Sequence, residues 1–368
     1  MLKDHATPGG TAAYASRFSV YEGNYRPVLD KSVSSVGIGT YLGDENAATD
    51  ESYAEAIRTA IVGGINLVDT AVNYRCQRSE RVIGGVIAAL AGNGQITRNE
   101  IVVATKGGYI AFDGEVPADP RGWFEKKFLE PGIVKPGELV QGAHCMTPRY
   151  LEAMLEMSLA NLGLESVDIY YLHNPETQLS AVAHDEFLAR IRSAFEFLEG
   201  AVDAGKIVCY GAATWNGFRL KQNQPGYLSL PDLVDAATEV GGADHHFKVI
   251  QLPYNLAMTE ALTLHNQSLP EGGEVSLLAA ADALGVAVCA SASLLQGQLT
   301  SRLPDALRSA FPGMKSDAQR AIQFVRSTPG VGVALVGMSS AAHVAHNLET
   351  LKHPPASDAL MKLFTRAD

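Results

Sequence analysis

Four side chains in this sequence have the types and positions to do chemistry together. GINLVDTAVNY (64–74) starts as an apolar strand, meets a carboxylate at Asp69 and reaches a phenol at Tyr74. IVVATK (101–106) ends on Lys106, and SVDIYYLH (166–173) ends on His173. A phenol, with an ordinary pKa of about 10, is a poor acid or base at neutral pH, and a nearby ammonium favours its ionised form. A buried lysine needs a counter-charge, which Asp69 can supply. An imidazole beside them can hydrogen-bond a carbonyl oxygen and orient it. Such a set would protonate a carbonyl oxygen as hydride arrives on its carbon, and a nicotinamide must bring the hydride because no side chain carries one. Taken singly, each residue has a plainer reading: a turn or capping acid, a packing tyrosine, a solvated rim lysine, a structural histidine. What favours a joint role is the elements that position them.

Short Val/Ile-rich runs recur along the chain, and a helical pattern follows each. The apolar runs are 34–41, 65–71, 101–106, 166–173, 207–214, 247–255, 286–293 and 331–338. Continuous apolar runs of this length suit strands buried on both faces of a parallel sheet, and the 3.6-residue periodicity between them marks the helices. Glycines close several helices just before the next strand, at Gly63-Gly64, Gly205, Gly285 and Gly330. Eight alternating units predict a closed (β/α)8 TIM barrel in a single domain, 1–368. An open doubly wound sheet would show G-x-G-x-x-G after its first strand, and VGIGTYLGD does not open a helix that way. In a barrel of this kind the site lies at the C-terminal strand ends. Asp69, Lys106 and His173 all occupy such ends, with Tyr74 in the following loop and Gln251 near the end of the sixth strand.

Two segments fall outside the repeat. Residues 1–30 form an N-terminal extension that would plug the barrel's bottom or cover a partner surface. Residues 107–146 are an insertion between the third strand and its helix, far longer than an ordinary loop, and such loops are often functional. It is expected to lie over the active-site mouth, with Trp215 and Tyr254 on neighbouring loops. Phe112, Trp123 and Trp215 are the expected substrate-binding aromatics beside Tyr74 and His173, although plain self-packing of the insertion accounts equally well for its own aromatics.

Composition narrows the field. The 368 residues carry a formal charge of −11 and are 46% hydrophobic. A mildly acidic chain without basic clusters is a poor partner for nucleic acid or anionic membranes. Four scattered cysteines, without C-x-x-C or zinc-ligand spacing, read as reduced buried thiols of a cytoplasmic protein. No metal site is expected. The polar N-terminus lacks the apolar core of a signal peptide, and no run has the length of a membrane span.

The segments GIGTY, GINLVDTAVNY, RSERVIG, VVATKGG, SLANLGLESVDIYYLH, VIQLPYNL and VGMSSAAHVAHNLE, spread over 34–351, resemble the aldo-keto reductase superfamily, including its potassium-channel β-subunit-like branch. The resemblance implies an NAD(P)H-dependent oxidoreductase interconverting a small-molecule carbonyl and an alcohol. It implies a tetrad of Asp69, Tyr74, Lys106 and His173, with Tyr74 as the acid/base. It also implies NADP(H), or less commonly NAD(H), bound without a Rossmann fold. Thr40 and Tyr41 would approach the nicotinamide ribose, with Asp69 beside them, and Gln251 would hold the carboxamide. Leu294, Gln296 and Gly297 would follow the pyrophosphate. Gly337 and Ser339 would lie near a 2′-phosphate, His343 at the adenine ribose and Asn347 at the adenine.

The chain departs from the family's pattern at several of these places. Ala213-Thr214 replaces the usual Ser-Asn, and Ser291 takes the place of an aromatic under the nicotinamide. Gly337 and His343 stand where basic or amide residues are common. A basic loop, Tyr74-Arg75-Cys76-Gln77-Arg78, replaces a short Tyr-Gly turn; Arg75, Arg78 and Arg81 could attract an anionic substrate group, although Arg78 and Arg81 sit around a helix start, where a solvated face is the favoured reading. The alternative reading is a nucleotide-binding regulatory or redox-sensing subunit with vestigial turnover. A metal-dependent barrel hydrolase is excluded because the first strand end has no His-x-His.

Overall fold

The computed structural model describes residues 1–270 and 272–365. Eight parallel strands close into a barrel in chain order: β1 (Val36–Gly39), β2 (Leu67–Asp69), β3 (Val102–Gly107), β4 (Val167–His173), β5 (Ile207–Ala213), β6 (Phe247–Pro253), β7 (Ala287–Ser291) and β8 (Val333–Gly337). Each predicted run holds one of them, with β3 extending one residue past its run to Gly107. Helices alternate with the strands: α1 (Ala47–Val62), α2 (Arg78–Gly92), α3 (Pro148–Leu162), α4 (His184–Asp203), α5 (Leu230–Gly241), α6 (Leu277–Ala283), α7 (Asp317–Ser327) and α8 (Ala341–Leu348). Local chemistry sets their ends. The Asn46 side chain caps the first turn of α1, Pro148 opens α3, and Gly163 ends α3 at a φ of 64°.

Register explains why the ionisable strand ends converge. Asp69 pairs level with Ala104, Lys106 with Tyr171, His173 with Ala213, and Ala213 with Gln251. Paired residues point to the same face, and side chains two apart along a strand share it. Asp69, Lys106, His173 and Gln251 therefore all face the barrel interior at its upper rim.

The interior below them is apolar, filled by Leu67, Val102, Ile169, Val249 and Val333. Val28 and Val33 complete that cluster from an antiparallel hairpin, Tyr25–Val28 with Lys31–Ser34, so the N-terminal extension plugs the bottom of the barrel. A buried ion pair helps anchor it. Asp168 accepts from Arg98 Nη2 at 2.8 Å and from the Ala6 amide at 2.6 Å.

The insertion is folded rather than draped. It holds a short helix, Pro120–Phe124, which continues as a π-helical turn, Glu125–Leu129. Phe128, Val134 and Cys145 pack against Tyr150 and Met154 of α3. Among the described residues, no helix is long and apolar enough to cross a membrane.

Candidate active site

One cleft of about 870 Å³ opens at the C-terminal strand ends. It is lined by Thr40, Tyr41, Asp69, Tyr74, His173, Trp215, Gln251, Ser291, Leu294, Gln296, Gly297, Gly337, Ser339, His343 and Asn347, so every cofactor position expected from the sequence borders it. Lys106 sits directly beneath, 1% exposed.

The floor is a charge-balanced cluster. Lys106 Nζ donates to Asp69 Oδ1 and to the Thr70 carbonyl, each at 2.7 Å. Gln251 Nε2 donates to Asp69 Oδ2 at 2.7 Å, so both carboxylate oxygens are held. The ammonium lies 5.0 Å from the centre of the Tyr74 ring. Tyr74 packs edge-on to His173 at 5.8 Å and to Tyr41 at 5.0 Å, which makes one wall of three rings.

These contacts decide the protonation states. Burial is the largest influence on Lys106 and would lower its pKa, but Asp69 and Tyr74 outweigh it and hold the ammonium above its ordinary value. For Tyr74 the expected balance is reversed. Burial raises the phenol and Lys106 only partly offsets it, so the pKa stands above its ordinary value. Tyr74 is therefore held as a proton donor, with the ammonium limiting the rise. His173 is pushed well below its ordinary value by burial, with Lys106 and His144 adding to the effect, so it is a neutral imidazole.

The insertion reaches this site through its two ends. Tyr109 lines the cleft and packs edge-on to His173, with centroids 5.1 Å apart. His144 Nε2 lies 2.8 Å from the His173 carbonyl oxygen, and Gln178 Nε2 lies 2.7 Å from His144 Nδ1. An amide nitrogen can only donate, so His144 carries its proton on Nε2 and gives it to that carbonyl. Gln178 Oε1 in turn accepts from Arg190 Nη1 at 2.6 Å. A side chain at Gly108 would meet the His173 carbonyl oxygen at 2.8 Å, and φ there is +151°, so this approach needs glycine.

Some expectations need correction. Phe112 and Trp123 do not border the cleft; they pack on each other at 5.1 Å, and Trp123 packs on Phe128 at 5.6 Å, because a folded insertion buries its own aromatics. Tyr254 is buried, stacked on Phe324, and its hydroxyl accepts from Thr328 at 3.1 Å. The loop arginines are engaged by the protein. Arg75 binds the Asp44 carbonyl and Asp50, Arg78 also binds Asp50, and Arg81 binds Asp113 at 2.6 Å. Asn73, Tyr109, Asn174 and His346 also line the cleft and were not among the expected site residues. His346 lies one helical turn beyond His343, which is the spacing that could have revealed it.

The sequence profile of the Aldo/keto reductase family matches residues 35–368. The chain belongs to that family. The 6-dehydroglucose reductase of Novosphingobium aromaticivorans is 26% identical over 190 residues, 50% of this chain and 48% of that protein. Prostaglandin F synthase 1 of Bos taurus is 26% identical over 231 residues, 59% of this chain and 56% of that protein. The chain thus spans about half the length of the curated relatives it matches. Among solved structures, an aldo/keto reductase of Klebsiella pneumoniae in complex with NADP and acetate has a TM-score of 0.61 at 21% identity, covering 93% of this chain and 94% of that one. The glycerol dehydrogenase of Gluconobacter oxydans has a TM-score of 0.62 at 21% identity, with the same coverage of both chains. At that identity the structural likeness speaks for the fold, which these aldo/keto reductases share.

Proposed function

We propose that the protein is a nicotinamide-dinucleotide-dependent oxidoreductase that interconverts a carbonyl compound and an alcohol. The observation that carries this is the floor of the cleft. A protonated phenol stands beside an ammonium neutralised by a doubly held carboxylate, with a neutral imidazole packed against the phenol.

The residues present fit a dinucleotide. The Thr214 Oγ1 atom is buried in the cleft wall without a hydrogen-bond partner and is free for a carboxamide. Gln251 gives its amide NH2 to Asp69 and keeps its oxygen as a second acceptor. Leu294, Gln296 and Gly297 would run along the pyrophosphate. Ser339, His343 and the first amides of α8 would meet the adenosine end, where a helix start favours phosphate. NADP(H) is the favoured cofactor, in keeping with the NADP complex of the Klebsiella relative, and NAD(H) is the second choice. When bound, a nicotinamide supplies the hydride that no side chain can.

The chain's own residues handle the oxygen and the proton. His173 donates a hydrogen bond that orients the carbonyl oxygen toward Tyr74. Tyr74 gives its proton to that oxygen as the carbon gains hydride, and the product is an alcohol. Lys106 stabilises the phenolate left behind, and Asp69 keeps Lys106 charged and in place. In alcohol oxidation the same phenolate accepts the proton.

Fluorescence titration with NADPH and NADH, on wild type and Gln251→Ala, tests the cofactor half. Either nucleotide should bind, more weakly to the variant. Carbonyl-dependent NADPH oxidation tests the proton half: Tyr74→Phe should lower kcat by about 10²–10⁴-fold, the usual worth of a positioned acid. Failure to bind either nucleotide refutes the reading, as does full activity in Tyr74→Phe.

A further inference from the structure

The chain leaves Tyr74 through Arg75, Cys76 and Gln77, whose φ values are 48°, 52° and 71°. All three are left-handed and none is glycine. In that conformation Cβ crowds the following carbonyl oxygen, so residues other than glycine or asparagine adopt it rarely and as single positions. A run of three persists only where the surroundings over-determine it, and strain of this kind gathers at functional sites. Here it directly follows the acid of the proposed reaction and ends where α2 begins, at Arg78.

Three segments grip the turn. The Arg75 side chain is 1% exposed. Its Nε and Nη2 donate to the Asp44 carbonyl at 3.0 and 2.8 Å, and Nη2 also donates to Asp50 Oδ1 of α1 at 2.6 Å. Its guanidinium lies 5.3 Å from the centre of the Tyr53 ring, also on α1. From the insertion, the Gly114 amide donates to the Cys76 carbonyl at 2.8 Å, and the Phe112 carbonyl accepts from Gln77 Nε2 at 2.9 Å. From α3, Asn161 Nδ2 donates to Gln77 Oε1 at 3.0 Å.

Arg75, Asp44 and Asp50 do not border the cleft, so binding of nucleotide or substrate does not account for this arrangement. What it controls is Tyr74. Tyr41 lies three residues before Asp44 and packs edge-on to Tyr74 at 5.0 Å. The guanidinium thus joins the segment carrying one ring to the turn carrying the other.

We propose that Arg75 is a positioning residue for the reaction: by tying a strained left-handed turn to residues 44–50, it fixes the direction in which Tyr74 presents its hydroxyl. The proposal rests on the carbonyl-oxidoreductase reading above.

Two replacements of Arg75 test it. Arg75→Met keeps an apolar stem and leaves Asp50 paired with Arg78, so no carboxylate is orphaned. Arg75→Lys keeps the charge without the planar fork that spans Asp44 and Asp50. With benzaldehyde and saturating NADPH, kcat should fall about tenfold or more in Arg75→Met, because a misplacement of about 1 Å costs that much. The fall should be smaller in Arg75→Lys, and NADPH affinity should be unchanged in both. With tyrosine labelled at Cζ for NMR, the Tyr74 resonance, assigned by its loss in Tyr74→Phe, should be a single line in wild type and should move or split in Arg75→Met. Circular dichroism checks the fold, and Arg75→Lys decides the matter if Arg75→Met does not fold. The strain has its own test: Cys76→Gly should melt at a higher temperature than Cys76→Ala, the reverse of the order in ordinary backbone. An unmoved Tyr74 resonance with unchanged kcat, or a loss confined to NADPH affinity, overturns the proposal, as does a Cys76→Ala variant more stable than Cys76→Gly. If wild type that binds NADPH reduces no carbonyl, the oxidoreductase reading fails, and the Tyr74 resonance alone decides whether Arg75 holds that ring.

Discussion

Replacing Asp69 by Asn should expose how the floor of the site is held together. Asp69 accepts from Lys106 Nζ and Gln251 Nε2, both at 2.7 Å, one on each oxygen. Asparagine keeps the shape but offers one acceptor oxygen for two donors. Either Lys106 or Gln251 must then face an amide nitrogen, and in both cases a buried ammonium loses its counter-charge. Removing one partner of a buried ion pair costs about 3–5 kcal/mol. Lys106→Met should cost a similar amount, because it leaves the Asp69 carboxylate buried with only an amide partner. The double variant removes both charges, so it should be less destabilised than the sum of the singles by about 3 kcal/mol. Urea unfolding followed by circular dichroism reads all three.

The pH dependence should separate the variants further. Lys106 is held above its ordinary pKa, so its contribution in wild type is present at neutral pH and is lost only as pH rises past about 10.4 toward the folded value. In Asp69→Asn, burial prevails and the folded pKa falls below the unfolded one. Stability of that variant should therefore rise with pH on approach to about 10, where wild type is flat. Additive single and double effects, or single variants within about 1 kcal/mol of wild type, would refute this account of the cluster.

Two further outcomes follow from the histidines. His144 is lowered to about 4, chiefly by burial, so the stability it contributes is full above its unfolded value of about 6.5 and is lost as pH falls from there toward 4. Wild type should lose about 3 kcal/mol more than His144→Gln across that window, and equal acid sensitivity would sink the idea. His173 is depressed well below its ordinary value, so it stays neutral through the physiological range. The profile of kcat/KM should show no inflection near about 6.5. An inflection there that vanishes in His173→Asn would contradict a neutral, hydrogen-bond-donating role.

Much of this was legible in the chain itself. Seven of the eight strands fall inside runs chosen for their apolar continuity, and β3 passes the end of its run by one residue, because a strand buried on both faces must be apolar along its length. The ionisable strand ends stood out for the same reason, since a charge at the end of such a run is unexpected unless it has a partner. The insertion was less legible. Its length marked it as unusual, but its aromatics follow no period that says which face each takes. Phe112 and Trp123 went into its own core, while Tyr109, two residues beyond β3, reached the site.

The sequence by itself determined the barrel and the gathering of Asp69, Tyr74, Lys106 and His173 at its mouth, because these depend on strand period and strand-end position. Only the tertiary structure decided how the groups are charged and held. The raised Tyr74 pKa arises because burial outweighs a lysine whose charge is shared with Asp69. The support of His173 by His144, Gln178 and Arg190 joins residues from 144 to 190 across the insertion, a loop and a helix. Burial and partner distance belong to the folded chain, and local sequence pattern carries neither.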